Sequence, residues 1–185
     1  MQTLADYLDH GLNLASIGLN PSLNSVRAGY YFATPQNRFW RALNASGLTD
    51  EALQPGVEAM ETLLATYRIG FTDVVKRPTP GGAALRAADY RTWAPRLRDK
   101  LLCLQPRIAW FHGKQAYAAY LRYAEGKVSE IEWGPQPLRV GVTRIYVTPN
   151  PSPANAAFSL AAITDSYCRL AAWSRRGRAK VPASG

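Results

Sequence analysis

The stretch Leu14-Ala-Ser-Ile-Gly-Leu-Asn-Pro-Ser22 decides how the rest of the chain is read. Leu14 to Gly18 is a short apolar run, and Asn20-Pro21 directly behind it is a turn initiator. Together they read as a buried strand that ends abruptly in a loop. The pattern returns twice. Arg107-Ile-Ala-Trp-Phe111 runs toward Gly113, and Arg144-Ile-Tyr-Val-Thr148 runs into Pro149-Asn-Pro151. Residues 68–75 are a further strand candidate, and 138–140 suggest an edge strand within an otherwise irregular segment, 126–141.

Between these runs the apolar spacing changes from two to 3.6. Phe39, Trp40 and Leu43 predict a helix over 37–46 with Gly47 as its C-terminal cap, and Val57, Met60, Leu63 and Leu64 predict another after Pro55. Asp89 is placed to cap a helix carrying Tyr90, Trp93, Leu97 and Leu101, in which Pro95 should kink or delay the start. Further helices are expected over 114–124 and 160–174, and the two prolines and two glycines of 77–84 make that stretch a loop. Short strands, apolar on both faces and alternating with helices, predict an α/β fold: a three-layer sandwich with a short, mostly parallel central sheet. In such folds ligands bind beyond the carboxyl ends of the strands. Residues 18–25, 111–115 and 148–155 leave strand ends and should converge there.

With 185 residues, the chain reads as one domain over 1–174 followed by a basic tail, 175–185, holding Arg175, Arg176, Arg178 and Lys180. A net charge of +9 favours polyanionic partners. No apolar run reaches membrane-spanning length, and the polar, acidic start from Met1 to His10 does not read as a signal peptide. A soluble cytoplasmic protein is expected. Cys103 and Cys168 sit in helix-like stretches and are expected to be buried free thiols. Two cysteines and two histidines, His10 and His112, are too few for a cysteine-held cluster or a tidy zinc site. Glycine-rich dinucleotide and P-loop patterns are absent, which weighs against a nucleotide-binding protein.

Gly18-Leu-Asn-Pro-Ser-Leu23, with Gly29, Phe32, Asn37-Arg-Phe-Trp40 and Ser46-Gly47 behind it, resembles the mismatch-specific uracil-DNA and thymine-DNA glycosylases. Lys76-Arg-Pro-Thr79, Phe111-His-Gly-Lys-Gln-Ala-Tyr117 and Asn150-Pro-Ser152 extend the resemblance over roughly 13–173. It implies a uracil-DNA glycosylase-like fold and a monofunctional DNA-repair enzyme. Such an enzyme flips uracil, or a related damaged or mismatched pyrimidine, from double-stranded or single-stranded DNA and hydrolyses its N-glycosidic bond, leaving an abasic site. It would work as a monomer, away from membranes and without a cofactor or metal.

The resemblance also assigns roles. Asn20 holds the attacking water; its amide oxygen accepts a hydrogen bond but cannot remove a proton at neutral pH. The related fast enzymes carry an aspartate there, so slow turnover is expected unless a carboxylate assists. Asp89 is the first candidate, with helix capping as its other reading, and Asp73 is the second. Base binding falls to Gly18, Leu19 through its amide, Ser22, Tyr30, Phe32 as the stacking aromatic, and Asn150. Tyr30 and Tyr31 are expected to divide between lining the pocket and packing. Ser22 stands where this family usually has glycine and is still small, which implies a pocket tolerant of 5-substituted bases. DNA contacts fall to Ser25, Lys114, Ser152, Ala154 and Asn155. Ala154 is too small to fill the gap left by a flipped base, so either Asn155 acts as the wedge or wedging is weak. The alternative is a DNA-binding protein that recognises lesions on the same fold without cutting.

Overall fold

The computed structural model describes residues 2–176. Among these, the strands are β1 (Leu14–Gly18), β2 (Ile69–Asp73), β3 (Ile108–His112), β4 (Gly134–Val140) and β5 (Thr143–Thr148). They form one sheet in the order β2-β1-β3-β5-β4. The pairs β1–β2, β1–β3 and β3–β5 are parallel, and β4 is an antiparallel edge strand with a register shift between Gln136 and Arg139. The helices are α1 (Leu23–Ala28), α2 (Phe39–Asn44), α3 (Val57–Ala65), α4 (Ala87–Leu104), α5 (Lys114–Ala124) and α6 (Leu160–Arg176).

Strand alternation sorts the core into two layers. Leu14, Phe71, Ile108, Trp110 and Tyr146 pack with residues of α2, α3 and α6. Ala15, Ile17, Ala109, Phe111, Ile145 and Val147 pack with residues of α4 and α5 on the opposite face. The result is the expected three-layer α/β sandwich. The chain leaves β1 toward β2 on one side and leaves β3 toward β4 and β5 on the other. The crevice beyond the carboxyl ends of β1 and β3 is therefore the topological switch point where such sheets bind ligands.

The structure corrects several expectations. Helix α1 went unforeseen. Ser22 caps it by accepting from the Ser25 backbone N–H at 3.0 Å, and Gly29 ends it in the left-handed region at φ 79°. Arg86, not Asp89, is the N-cap of α4; Asp89 sits at the third position and accepts from the Arg86 backbone N–H, closing a capping box. Pro95 neither delays nor ends α4, because it lies on the exposed side, where water can satisfy the backbone carbonyl it leaves unpaired. The edge strand β4 begins at Gly134, well before the expected 138. Both cysteines are free, but Cys103 is exposed and Cys168 half-buried, so neither is the buried thiol expected. Helix α6 carries on through Arg175 and Arg176, the expected start of the tail, and the rest of that tail lies outside the described residues.

Candidate active site

A cavity of about 490 Å³ opens at the carboxyl ends of the parallel strands. Gly18 at the end of β1, Leu19 and Asn20 just after it, Asp73 at the end of β2, His112 at the end of β3 and Asn150 after β5 all line it. The three convergent stretches read from the sequence thus meet, and β2 adds a fourth.

Asn20 is fixed by its nitrogen. Nδ2 donates to Thr79 Oγ1 at 2.7 Å, to the Arg77 carbonyl at 3.1 Å and to the Pro21 carbonyl at 3.3 Å. Two of these partners can only accept, which sets the amide orientation and leaves Oδ1 to accept from a water. The loop supplying those acceptors is pinned to the first motif, with the Thr79 N–H donating to the Pro21 carbonyl at 3.2 Å.

Phe32 forms one wall. Its ring stacks on Phe39 at 4.1 Å and meets His112 edge-on at 5.1 Å. Its backbone is held at φ 60°, uncommon for a bulky residue, and such outliers point toward a functional constraint. Of the adjacent tyrosines, Tyr31 lines the cavity. Tyr30, expected at the base, is not among the lining residues and packs edge-on against Trp40 at 6.2 Å. Ser22 borders the cavity while capping α1. Ser25, expected at DNA, is 4% exposed; its Oγ receives the Ser22 hydroxyl at 3.0 Å and the Ala33 N–H at 3.3 Å. That hydroxyl ties the turn carrying Phe32 to α1, and Ser25 itself borders the cavity.

The Asn150 loop is braced internally. Asn150 Oδ1 accepts from the Ser152 N–H at 2.9 Å, and Asn155 Nδ2 donates to the Asn150 carbonyl at 2.9 Å. Arg38 then gathers the loop from beneath. Its guanidinium donates to the carbonyls of Pro151 at 3.2 Å, Ser152 at 2.5 Å and Asn155 at 2.8 Å, and also to Phe158. Asn155 is therefore committed to holding the loop, while Ala154 is exposed beside the cavity. Lys114 lies in a neighbouring cleft of about 440 Å³ with its Nζ 4.9 Å above the Trp133 ring.

The two candidate carboxylates part company. Asp89 accepts from Arg77 Nε at 2.7 Å and Nη2 at 2.8 Å, and this pairing holds its carboxyl below the usual range. It is not among the residues lining the cavity. Asp73 lines the cavity and is 4% exposed. Burial pushes its carboxyl up to about 7, against the pull of the Lys76 ammonium.

Two participants escaped the sequence reading. His112 is 2% exposed, with Nε2 2.8 Å from Ser16 Oγ and Nδ1 3.2 Å from Tyr167 Oη. Burial brings the ring down to about 3, so it is neutral at physiological pH. Its place between an apolar strand and Gly113 was a usable signal. Arg38 lay within the Asn37–Trp40 motif with no feature to separate it from a surface arginine. Among the described residues no group of three His, Cys, Asp or Glu side chains is arranged to hold a metal. No helix among them is long and apolar enough to cross a membrane.

The family model of the uracil DNA glycosylase superfamily matches residues 5–174. The fold is similar to the solution NMR structure of a Methanosarcina acetivorans protein provisionally assigned as a uracil DNA glycosylase. That likeness has a TM-score of 0.58 at 23% identity and covers 91% of this chain and 97% of that one.

Proposed function

The chain belongs to the uracil DNA glycosylase superfamily, and we propose that it is a mismatch-type enzyme that extrudes uracil, or a related damaged pyrimidine, from DNA and releases it by hydrolysis. The observation that carries this is Asn20, whose nitrogen is consumed by three acceptors so that Oδ1 alone is left to hold a water in a base-sized cavity walled by Phe32.

The flipped base stacks on Phe32, an interaction of about 1–3 kcal/mol per base that tolerates different rings. As the anomeric C–N bond breaks, its electron pair leaves with the base and the sugar becomes oxocarbenium-like. Water held by Asn20 adds to the anomeric carbon, and its proton passes to solvent or to the departing base. An amide orients the water without deprotonating it, which suits a slow enzyme attacking an already cationic sugar. Asp89, bound to Arg77, acts here through the loop rather than on the water. The small side chains of Ser22 and Ala154 leave room for 5-substituted bases and make a weak wedge. Weak wedging favours mispaired or unpaired uracil, which costs less to flip. The reaction needs no cofactor, and the protein acts as a monomer on DNA in the cytoplasm or nucleoid, its +9 charge aiding capture of the strand.

Single-turnover assays on oligonucleotides with uracil opposite guanine, uracil opposite adenine and single-stranded uracil, followed by hot alkali, test this reading. Alkali-labile breaks, fastest where uracil is mispaired or unpaired, are expected. Tight binding with no breaks on any substrate would leave a lesion-binding protein instead.

A further inference from the structure

The cleft that holds Lys114 adjoins the first cavity and shares part of its wall, including Leu19, Asn150, Ser152 and Ala154. The Asn150 loop is thus a ridge between two hollows of similar size, about 490 and 440 Å³. The second hollow contains a large aromatic side chain with no part in the chemistry above, Trp133.

Trp133 is 39% exposed, the most exposed tryptophan among the described residues. It is nevertheless held in place. The Gln136 side-chain amide donates to the carbonyls of Glu132 at 2.7 Å and Gly134 at 3.0 Å, which fixes the backbone on both sides of it. Its ring meets Phe158 edge-on at 5.2 Å. Phe158 gives its carbonyl to Arg38, the same guanidinium that gathers the Asn150 loop, so ridge and indole are parts of one braced unit.

Lys114, the first residue of α5, places Nζ 4.9 Å from the centre of the indole ring and makes no ion pair among the described residues. A flat π-surface beside an unpaired ammonium is the combination that takes a nucleobase together with its phosphate. A paired base is stacked within its duplex and cannot lie in a side cleft, whereas an unpaired one reaches it at little cost. A strand whose uracil enters the first cavity crosses the ridge, where the exposed Ala154 is too small to obstruct it, and its next nucleotide arrives over Trp133.

Building on the glycosylase reading above, we propose that Trp133 is a stacking platform for the nucleobase next to the captured one, and that this second cleft is fitted to single-stranded DNA. The base takes the indole face that Lys114 now covers, and the ammonium moves to the strand phosphate. An exposed cation–π contact is weak enough to be exchanged for base stacking. Every base has a π-face, so the platform tolerates any neighbouring sequence.

The test uses uracil-free DNA and so does not depend on catalysis: a short oligothymidine, the same backbone with abasic sites in place of the bases, and a stable duplex. Oligothymidine should quench the tryptophan emission, and Trp133→Phe should remove most of that quenching while keeping the affinity within a few fold. Trp133→Leu, which has no π-face, should bind oligothymidine about tenfold more weakly and the abasic strand as before. Equal weakening toward both strands, quenching that survives in the Phe variant, or a duplex that quenches as strongly would overturn the proposal. Where the Leu variant fails to fold, quenching in the Phe variant decides. In base release, Trp133→Leu should raise the half-saturating concentration of single-stranded uracil about tenfold and leave that of mispaired duplex uracil unchanged. Should no substrate release uracil, the glycosylase reading fails on its own account, and the uracil-free strands still decide the platform.

Discussion

Arg77 joins Asp89 to Asn20. Its guanidinium meets both oxygens of Asp89, at 2.7 and 2.8 Å, while its backbone carbonyl receives Asn20 Nδ2 at 3.1 Å. The helix-capping carboxylate thus steadies the backbone that orients the asparagine, without touching the cavity itself.

Asp89→Ala should therefore behave as the loss of a cap. A cost of about 0.5–2 kcal/mol is expected in chemical denaturation. Because the folded pKa of Asp89 is depressed, its contribution is present above the ordinary carboxylate range and lost as pH falls through the folded value. The pH profile of base release should keep its wild-type shape; a profile that loses an inflection would make Asp89 a direct participant.

Asn20→Ala should bind uracil-containing DNA normally and lose most base release, as read by gel shift and single-turnover cleavage. Asn20→Asp is the more informative change. It sets a carboxylate oxygen against the Arg77 and Pro21 carbonyls, where Nδ2 now donates. A loss of about 1–3 kcal/mol of stability is expected, without the gain in rate that an added base would otherwise bring.

Gly18→Ala should cost about 1–3 kcal/mol by overpacking, because the new methyl meets Asp73 Oδ1 at 2.6 Å. Adding Asp73→Ala should relieve most of that cost. Thermal unfolding of the two single variants and the double variant measures the coupling; strict additivity would mean the two positions do not share the space.

The buried carboxyl of Asp73 also sets a pH dependence of stability. Its folded pKa, about 7, lies above the ordinary aspartate value of 3.8, so between these pH values the folded protein holds a proton that the unfolded chain has released. Stability should fall as pH rises through that window and level off above it. Asp73→Asn should remove this slope and be the more stable protein at pH 8, by an amount on the order of one to a few kcal/mol. Parallel slopes in urea denaturation would count against it.

Arg38→Ala removes the guanidinium that collects the carbonyls of Pro151, Ser152, Asn155 and Phe158. Limited proteolysis should open the 151–158 loop, and uracil release should fall while the sheet stays folded by circular dichroism. Arg38→Lys should rescue little, since a single ammonium cannot span the same set of acceptors.

The sheet and its helices were legible because periodicity reports burial directly. Leu14–Gly18, Ile108–His112 and Thr143–Thr148 are apolar on both faces, and only a strand covered by helices on each side is stable with that composition. Asn20 and Asn150, which line the cavity, were legible for a different reason: they stand in motifs directly after strands, while Phe32 was marked by the resemblance alone. Tyr30 and Tyr31 could not be told apart, since neighbouring aromatics differ only in which wall they face. The burial of Ser25, expected at DNA, was not legible because nothing in the sequence shows that α1 turns it inward.

By itself the amino-acid sequence determined the layer architecture and the end of the sheet where the cavity opens, since both follow from local spacing and strand order, whereas Asn20 was singled out by the resemblance of its motif to a known family. Tertiary structure alone decided which carboxylate belongs to the cavity. Asp73 and Asp89 are both acidic residues near the same loop. One is carried by β2 to a place opposite Gly18 where burial raises its pKa, and the other meets Arg77 near the surface and is held ionised. Protonation depends on desolvation and on neighbouring charges, and both are set by residues far apart in the chain.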